Sequence, residues 1–404
     1  MNRIRQVLAQ YPRQFWLLFG GMLISASGGS MVWPFLTIYI RQRLNISLTT
    51  VGLLLSLNSA AGLVTTFIAG PVCDRFGRKG VMVVSLFVGS AVFATMNLAG
   101  SLHVWSILMA VNGAFGPLFG VGSNAMVADL IAPDRRAGAY ALLRMGNNLG
   151  VAIGPSIGGF IAAVSYTWTF FAAMAANLIF ALLVLLFVAE TLPQAVAVSE
   201  PVQLSTAGGY RRLLHDRPFL AFCGISILAV MPASLLFVLL PVYAKEQFGV
   251  VENQYGFIMA TNAAMVVLFQ YAVTQVAKRY RPLPVLAVGA FLYALGAGSV
   301  AWGQGFVAFL LSMIILTVGE MSLVPTATTL TANLSPPDMR GRYMGVYGLT
   351  WRAGIGIGPM IGGVLNDRVA PVAIWYGGLA IGLTAAFGYL LLTRLLSESV
   401  YEAE

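Results

Sequence analysis

Residues 133–159 read PDRRAGAYALLRMGNNLGVAIGPSIGG, and residues 337–363 read PDMRGRYMGVYGLTWRAGIGIGPMIGG. At a constant offset of 204 residues, Pro133, Asp134, Arg136, Gly150, Ile153, Gly154, Pro155, Ile157, Gly158 and Gly159 all recur. A gapless match of that density marks a duplication, with each copy filling about half of the 404 residues.

The solvent of the duplicated unit follows from composition. The chain is 58% hydrophobic and 9% charged, with a mean hydropathy of +0.83. Soluble domains carry about 25% charged residues, so water cannot cover this surface and a bilayer can. Apolar runs with few or no charges cover 14–40, 48–70, 80–100, 104–131, 139–163, 167–189, 218–244, 254–276, 283–301, 305–333, 342–366 and 372–393. Each is long enough for a transmembrane helix of about 20 residues, and none alternates as barrel strands do. The expected fold is an all-α membrane protein with twelve transmembrane helices in two six-helix pseudo-repeats. Such repeats are typical of transporters whose halves rock about a central site. The longest polar stretch, 190–217, divides an N-terminal bundle (1–189) from a C-terminal bundle (218–404), and Tyr210–Arg217 within it reads as either a short amphipathic helix or a tether.

The formal charge of +9 is laid out on one side. Arg3, Arg5, Arg13, Arg75, Arg78, Lys79, Arg135, Arg136, Arg211, Arg212, Arg217, Lys278, Arg279, Arg281, Arg340, Arg342 and Arg394 share the side of the termini. Arg41, Arg43, Lys245 and Arg368 lie opposite. The positive-inside rule then places both termini in the cytoplasm and the chain in the cytoplasmic (inner) membrane. A basic excess of this kind replaces any nucleic-acid reading. Cys73 and Cys223 read as unpaired, packed thiols.

After the second run comes Gly70-Pro-Val-Cys-Asp74-Arg75-Phe-Gly77-Arg78-Lys79. Gly77 permits a tight turn, Asp74 can face the positive N-terminus of a helix, and the cations can bind carboxylates at span ends. This loop resembles that of the major facilitator superfamily, G-x-x-x-D-R-x-G-R-[KR], between helices two and three. The resemblance implies a cytoplasmic latch made of Gly70, Asp74, Arg75, Gly77, Arg78 and Lys79, with Asp129 as partner. Arg352 is a further pairing candidate for Asp129 or Asp74. A plain positive-inside anchor is the alternative. Gly150, Gly154, Pro155, Gly158 and Gly159 follow a pattern similar to that of the drug:proton antiporters in this superfamily. Its copy, Gly354, Gly358, Pro359, Gly362 and Gly363, makes the pattern less diagnostic, and close helix packing is the rival reading. The family's basic residue in span four is missing, since Met109 precedes Asn112-Gly113.

Of the 14 acids, only Glu320 lies near the middle of a span. A charge in hydrocarbon is costly and points to function, and multidrug exporters of this superfamily carry a similar Gly-Glu before a proline. Glu320 is therefore the expected proton-coupling group, with Asp74 and Asp129 behind it; a structural hydrogen bond to a neighbouring helix is the rival. Candidate substrate-lining residues are Trp33, Phe35, Tyr39, Asn58, Asn112, Asn147, Asn148, Met231, Asn262, Gln270 and Glu320, placed near the midplane between the halves. No metal-ligand spacing, Walker motif or catalytic triad is present, so no metal, cofactor or enzymatic activity is expected.

The resemblance implies a monomeric, proton-coupled antiporter exporting small amphipathic or drug-like molecules by multidrug efflux. The rivals are export of a sugar, amino acid, other metabolite or lipid on the same fold, and a transport-inactive sensor or scaffold. The expected partners are substrate, protons and the lipid bilayer.

Overall fold

The structure, a computed structural model, describes residues 10–192, 212–336 and 339–395. Arg3, Arg5, Glu200, Tyr210, Arg211, Asp338, Glu398, Glu402 and Glu404 lie outside these. Within the linker, 212–215 are helical.

The helices are α1 (Arg13–Leu44), α2 (Leu48–Phe76), α3 (Arg78–Met96), α4 (Leu102–Leu130), α5 (Pro133–Val164), α6 (Tyr166–Phe187) and α7 (Arg217–Val238). They continue as α8 (Leu240–Phe248), α9 (Glu252–Ala277), α10 (Pro282–Ser299), α11 (Gly305–Leu334), α12 (Arg340–Arg368) and α13 (Ala373–Leu395). Eleven of the described helices are long and apolar enough to cross a membrane. The twelfth expected span forms as α12, 29 residues long; its glycines, tyrosines and Arg352 lower its hydropathy without breaking the helix. The expected single run 218–244 is instead α7 followed by the nine-residue α8. Pro241 has no N–H for the Phe237 carbonyl four residues back, while Leu239 between the two helices keeps αR angles, donates to Leu235 O and accepts from Tyr243 N.

Helix ends follow local chemistry. Ser101, Ser165 and Asp216 accept from backbone N–H groups of Val104, Thr167 and Phe219 at the starts of α4, α6 and α7. Asn45 (φ 50°) and Gly249 (φ 66°) close α1 and α8 in the left-handed region. Hydroxyls that hydrocarbon would strand are turned onto carbonyls of the preceding turn, as Ser27 does on Leu23 and Thr331 on Ala327. Large apolar side chains such as Val64, Phe67, Val267 and Leu268 stay exposed along the helices. Exposed apolar surface of that extent suits lipid, and with its many long apolar helices the protein is a multi-pass membrane protein.

The chain divides into two compact units, one of residues 1–45, 57–195 and 251–260, the other of 46–56, 196–250 and 261–404. In the first, α1 packs on α5 and α6, and α3 on α4 and α6. In the second, α7 packs on α12 and α13, and α10 on α11 and α13. The second set is the first shifted by one repeat.

Candidate coupling and closure sites

The duplicated glycines lie at helix crossings. A Cβ on Gly154 would strike Ser30 Oγ and the Ser27 carbonyl oxygen, and one on Gly158 would stand 2.5 Å from the Met31 carbonyl oxygen. Gly150 meets Ala26 and the Leu23 carbonyl in the same way. These contacts join α5 to α1. In the second unit, Gly354 meets Val230, Gly358 meets Ser234 and Met231, and Gly362 meets Leu235 and Leu239. Gly159 abuts the backbone of Glu252 and Gly256, and its mate Gly363 abuts Leu48 and Thr49. Both α5 and α12 run through Pro155 and Pro359 without a break.

The starts of α9 and α2, which meet these last glycines, are held by different polar groups. Tyr166 donates to the buried carboxylate of Glu252. Asp367, near the end of α12, accepts from Leu48 N at 3.3 Å, Thr49 N at 2.7 Å and Thr49 Oγ1 at 2.6 Å.

The basic loop between α2 and α3 is built on Gly77, whose φ of +85° suits glycine. Arg78 reaches Asp129 at 3.2 Å, Asp74 at 3.3 Å and the Cys73 carbonyl at 3.4 Å. Asp129 also accepts from Thr191 Oγ1 at 2.9 Å. Arg75 lies over the Phe76 ring, and Gly70 faces open space. Asp74, with its side chain 70% exposed, is bound to Arg78 one turn on. The start of α3 is held by Glu190, which accepts from Arg78 N at 3.1 Å and Lys79 N at 3.0 Å. A Cβ on Gly77 would strike the same carboxylate. Burial pushes the Glu190 carboxyl up, but backbone N–H groups of Leu192, Thr191, Lys79 and Arg78 outweigh it and hold it below the ordinary carboxylate value. No local sequence pattern ties Glu190 to this helix start, because 111 residues separate it from Lys79.

Arg352 makes no ion pair among the described residues, since Arg78 takes both Asp74 and Asp129. Cys73 and Cys223 are free and buried.

Of the substrate-lining candidates, the structure joins Asn262 to Glu320: Asn262 Nδ2 donates to Glu320 Oε2 at 2.8 Å and to Thr317 Oγ1 at 2.9 Å. Gln270 is occupied with Met321 O and Thr274. Phe35 and Met231 are buried, Phe35 edge-on to Tyr255. Tyr39 lies among Trp105, Tyr166 and Phe170 and donates to Asn97 O. Asn58 donates to Met109 O. Trp33 and Asn148 are exposed, while Asn112 and Asn147 are partly buried.

The sequence profile of the Major Facilitator Superfamily matches residues 18–359 and 222–402. The chain belongs to that superfamily of transporters. It is 26% identical over 378 residues to a Na(+), Li(+), K(+)/H(+) antiporter of Planococcus maritimus, covering 86% of each chain. It is 26% identical over 403 residues to the multidrug resistance protein MdtH of Shigella boydii, covering 97% of this chain and 96% of that one. In fold it is similar to the crystal structure of the nucleoside transporter NupG, with a TM-score of 0.79 at 15% identity, covering 95% of this chain and 100% of that one.

Proposed function

We propose that the protein is a proton-coupled exporter of small amphipathic or drug-like molecules, working by alternating access in the cytoplasmic membrane with both termini inside. The observation that carries this reading is Glu320, a carboxyl within the apolar helix α11, bound to an uncharged amide and paired with no cation among the described residues. A carboxyl so placed can be loaded with a proton from outside. Release to the cytoplasm on arrival of substrate then exchanges one for the other. One inward proton gains about 2.3 kcal/mol per 100 mV and about 1.4 kcal/mol per pH unit. The multidrug relative supports a drug-like cargo.

The antiporter relative favours a second reading, in which a monovalent cation takes the place of the drug. Both are tested in inside-out vesicles by following proton movement on adding ethidium, Na(+), Li(+) or K(+). Glu320→Gln should abolish uphill transport and spare downhill exchange. Wild-type proton-driven transport by this variant would remove Glu320 from the mechanism. The effective cargo decides between the readings.

A further inference from the structure

Asn58 on α2 and Asn262 on α9 stand 204 residues apart and are one position of the duplicated unit. In the first copy, Asn58 donates to the Met109 carbonyl at 3.0 Å. A Cβ at Gly113 would strike the Asn58 carbonyl oxygen, so α2 and α4 touch backbone to backbone there. In the second copy Met313 stands for Met109, Thr317 for Gly113 and Glu320 for Gly116. The Thr317 hydroxyl donates to the Met313 carbonyl at 2.7 Å, the counterpart of the carbonyl that Asn58 uses. Asn262 therefore turns both N–H groups elsewhere, one to Thr317 Oγ1 and the other to Glu320 Oε2. With its hydrogen spent on Met313, the Thr317 oxygen can only accept, which sets the direction of the amide. Two side chains present only in the second copy make a carboxylate holder of what is a helix clamp in the first.

We propose that Asn262, oriented by Thr317, is the positioning residue of the Glu320 carboxyl, holding it in one orientation and favouring its ionised form. The proposal rests on the reading of Glu320 as the coupling group. A hydrogen bond to an ionised acceptor is roughly twice as strong as a neutral one, so the amide eases proton release and sets the pH at which Glu320 exchanges. Other groups around α11 do not duplicate this donor. From α10, the Tyr293 ring packs on Gly319, and its buried hydroxyl has no hydrogen-bond partner among the described residues. Tyr293 interacts electrostatically with Glu320 itself, and with Tyr347 of α12 and Tyr389 of α13. Arg352 of α12 makes no ion pair among the described residues. The charged residues of α8, Lys245 and Glu246, belong to a helix that meets α11 through Phe248 on Phe309, about 16 Å along the helix from Glu320.

The test is an infrared pH titration of the full-length protein reconstituted in lipid. The protonated-carboxyl band absent from Glu320→Gln belongs to Glu320. In Asn262→Leu its midpoint should move to higher pH by about one unit, the size of one charge-assisted hydrogen bond. Thr317→Val, isosteric with the native residue, should move it the same way by less, and decides the matter if the first variant does not fold. An unmoved midpoint, or no titrating Glu320 band in the wild type, overturns the proposal. Transport by Glu320→Gln at the wild-type level would instead overturn the coupling reading, and the infrared midpoint would still decide the placing of the carboxyl.

Discussion

The Ser30 hydroxyl, 2.7 Å from the Ala26 carbonyl of its own helix, also lies 3.1 Å from the Gly150 carbonyl, a contact between α1 and α5 that spans 120 residues of sequence. One repeat later, the Ser234 hydroxyl, 2.7 Å from Met231 O, lies 3.3 Å from the Gly354 carbonyl across the same separation. The hydroxyls and the glycines beside them form one device, because each serine reaches a carbonyl only where the facing helix carries no side chain.

Gly154→Leu should therefore fail to fold or lose transport, since its side chain would enter the Ser27 backbone. Overpacking of this kind costs at least about 1–3 kcal/mol. Gly116→Ala is the control: nothing lies within 4 Å of its Cβ, and the gain in helix propensity should stabilise by about 0.4–1 kcal/mol. Thermal unfolding in detergent measures both. A stable, active Gly154→Leu would show that α1 and α5 need not touch at this level.

Glu190→Ala should destabilise α3 by about 1 kcal/mol, as expected for a lost cap at a positive helix end. The sign with pH follows from the lowered folded value of Glu190. Its stabilisation is fully present above the unfolded value and is lost as pH falls through the folded one. Wild type and variant should thus differ near neutrality and converge in acid. A constant difference in melting temperature from pH 7 to pH 3 would contradict this.

Asp129→Asn should impair transport more than Asp74→Asn. Both acids bind Arg78, but the Asp129 side chain is 26% exposed and that of Asp74 70%, and exposed pairs contribute little. Arg78→Ala should resemble Asp129→Asn or exceed it. Initial rates at equal expression give the order, and a larger defect in Asp74→Asn would reverse the assignment of the dominant acid.

Tyr166→Phe removes a hydroxyl that donates to the buried Glu252. A buried acceptor losing a donor costs about 1–3 kcal/mol, read as a lower melting temperature. Asp367→Ala, which removes three contacts at the start of α2, should cost about as much. Unchanged melting in both variants would make these contacts dispensable.

The membrane class, the helix runs, the duplication and the turn at Gly77 were legible in the sequence, because each depends on residues close together or on a constant offset. Glu320 stood out for the same reason, as an acid in an otherwise uncharged run. Pro241 is equally visible, but a proline within an apolar run does not by itself place a helix end, since Pro155 is carried by the intact α5. Tertiary structure alone decided which carboxylate serves the start of α3, since Glu190 reaches it from beyond α6. It also decided that Asn262 meets Glu320 while its mate Asn58 meets a backbone carbonyl. These pairings join residues far apart in sequence, and composition and spacing carry no distance between helices until the helices are packed.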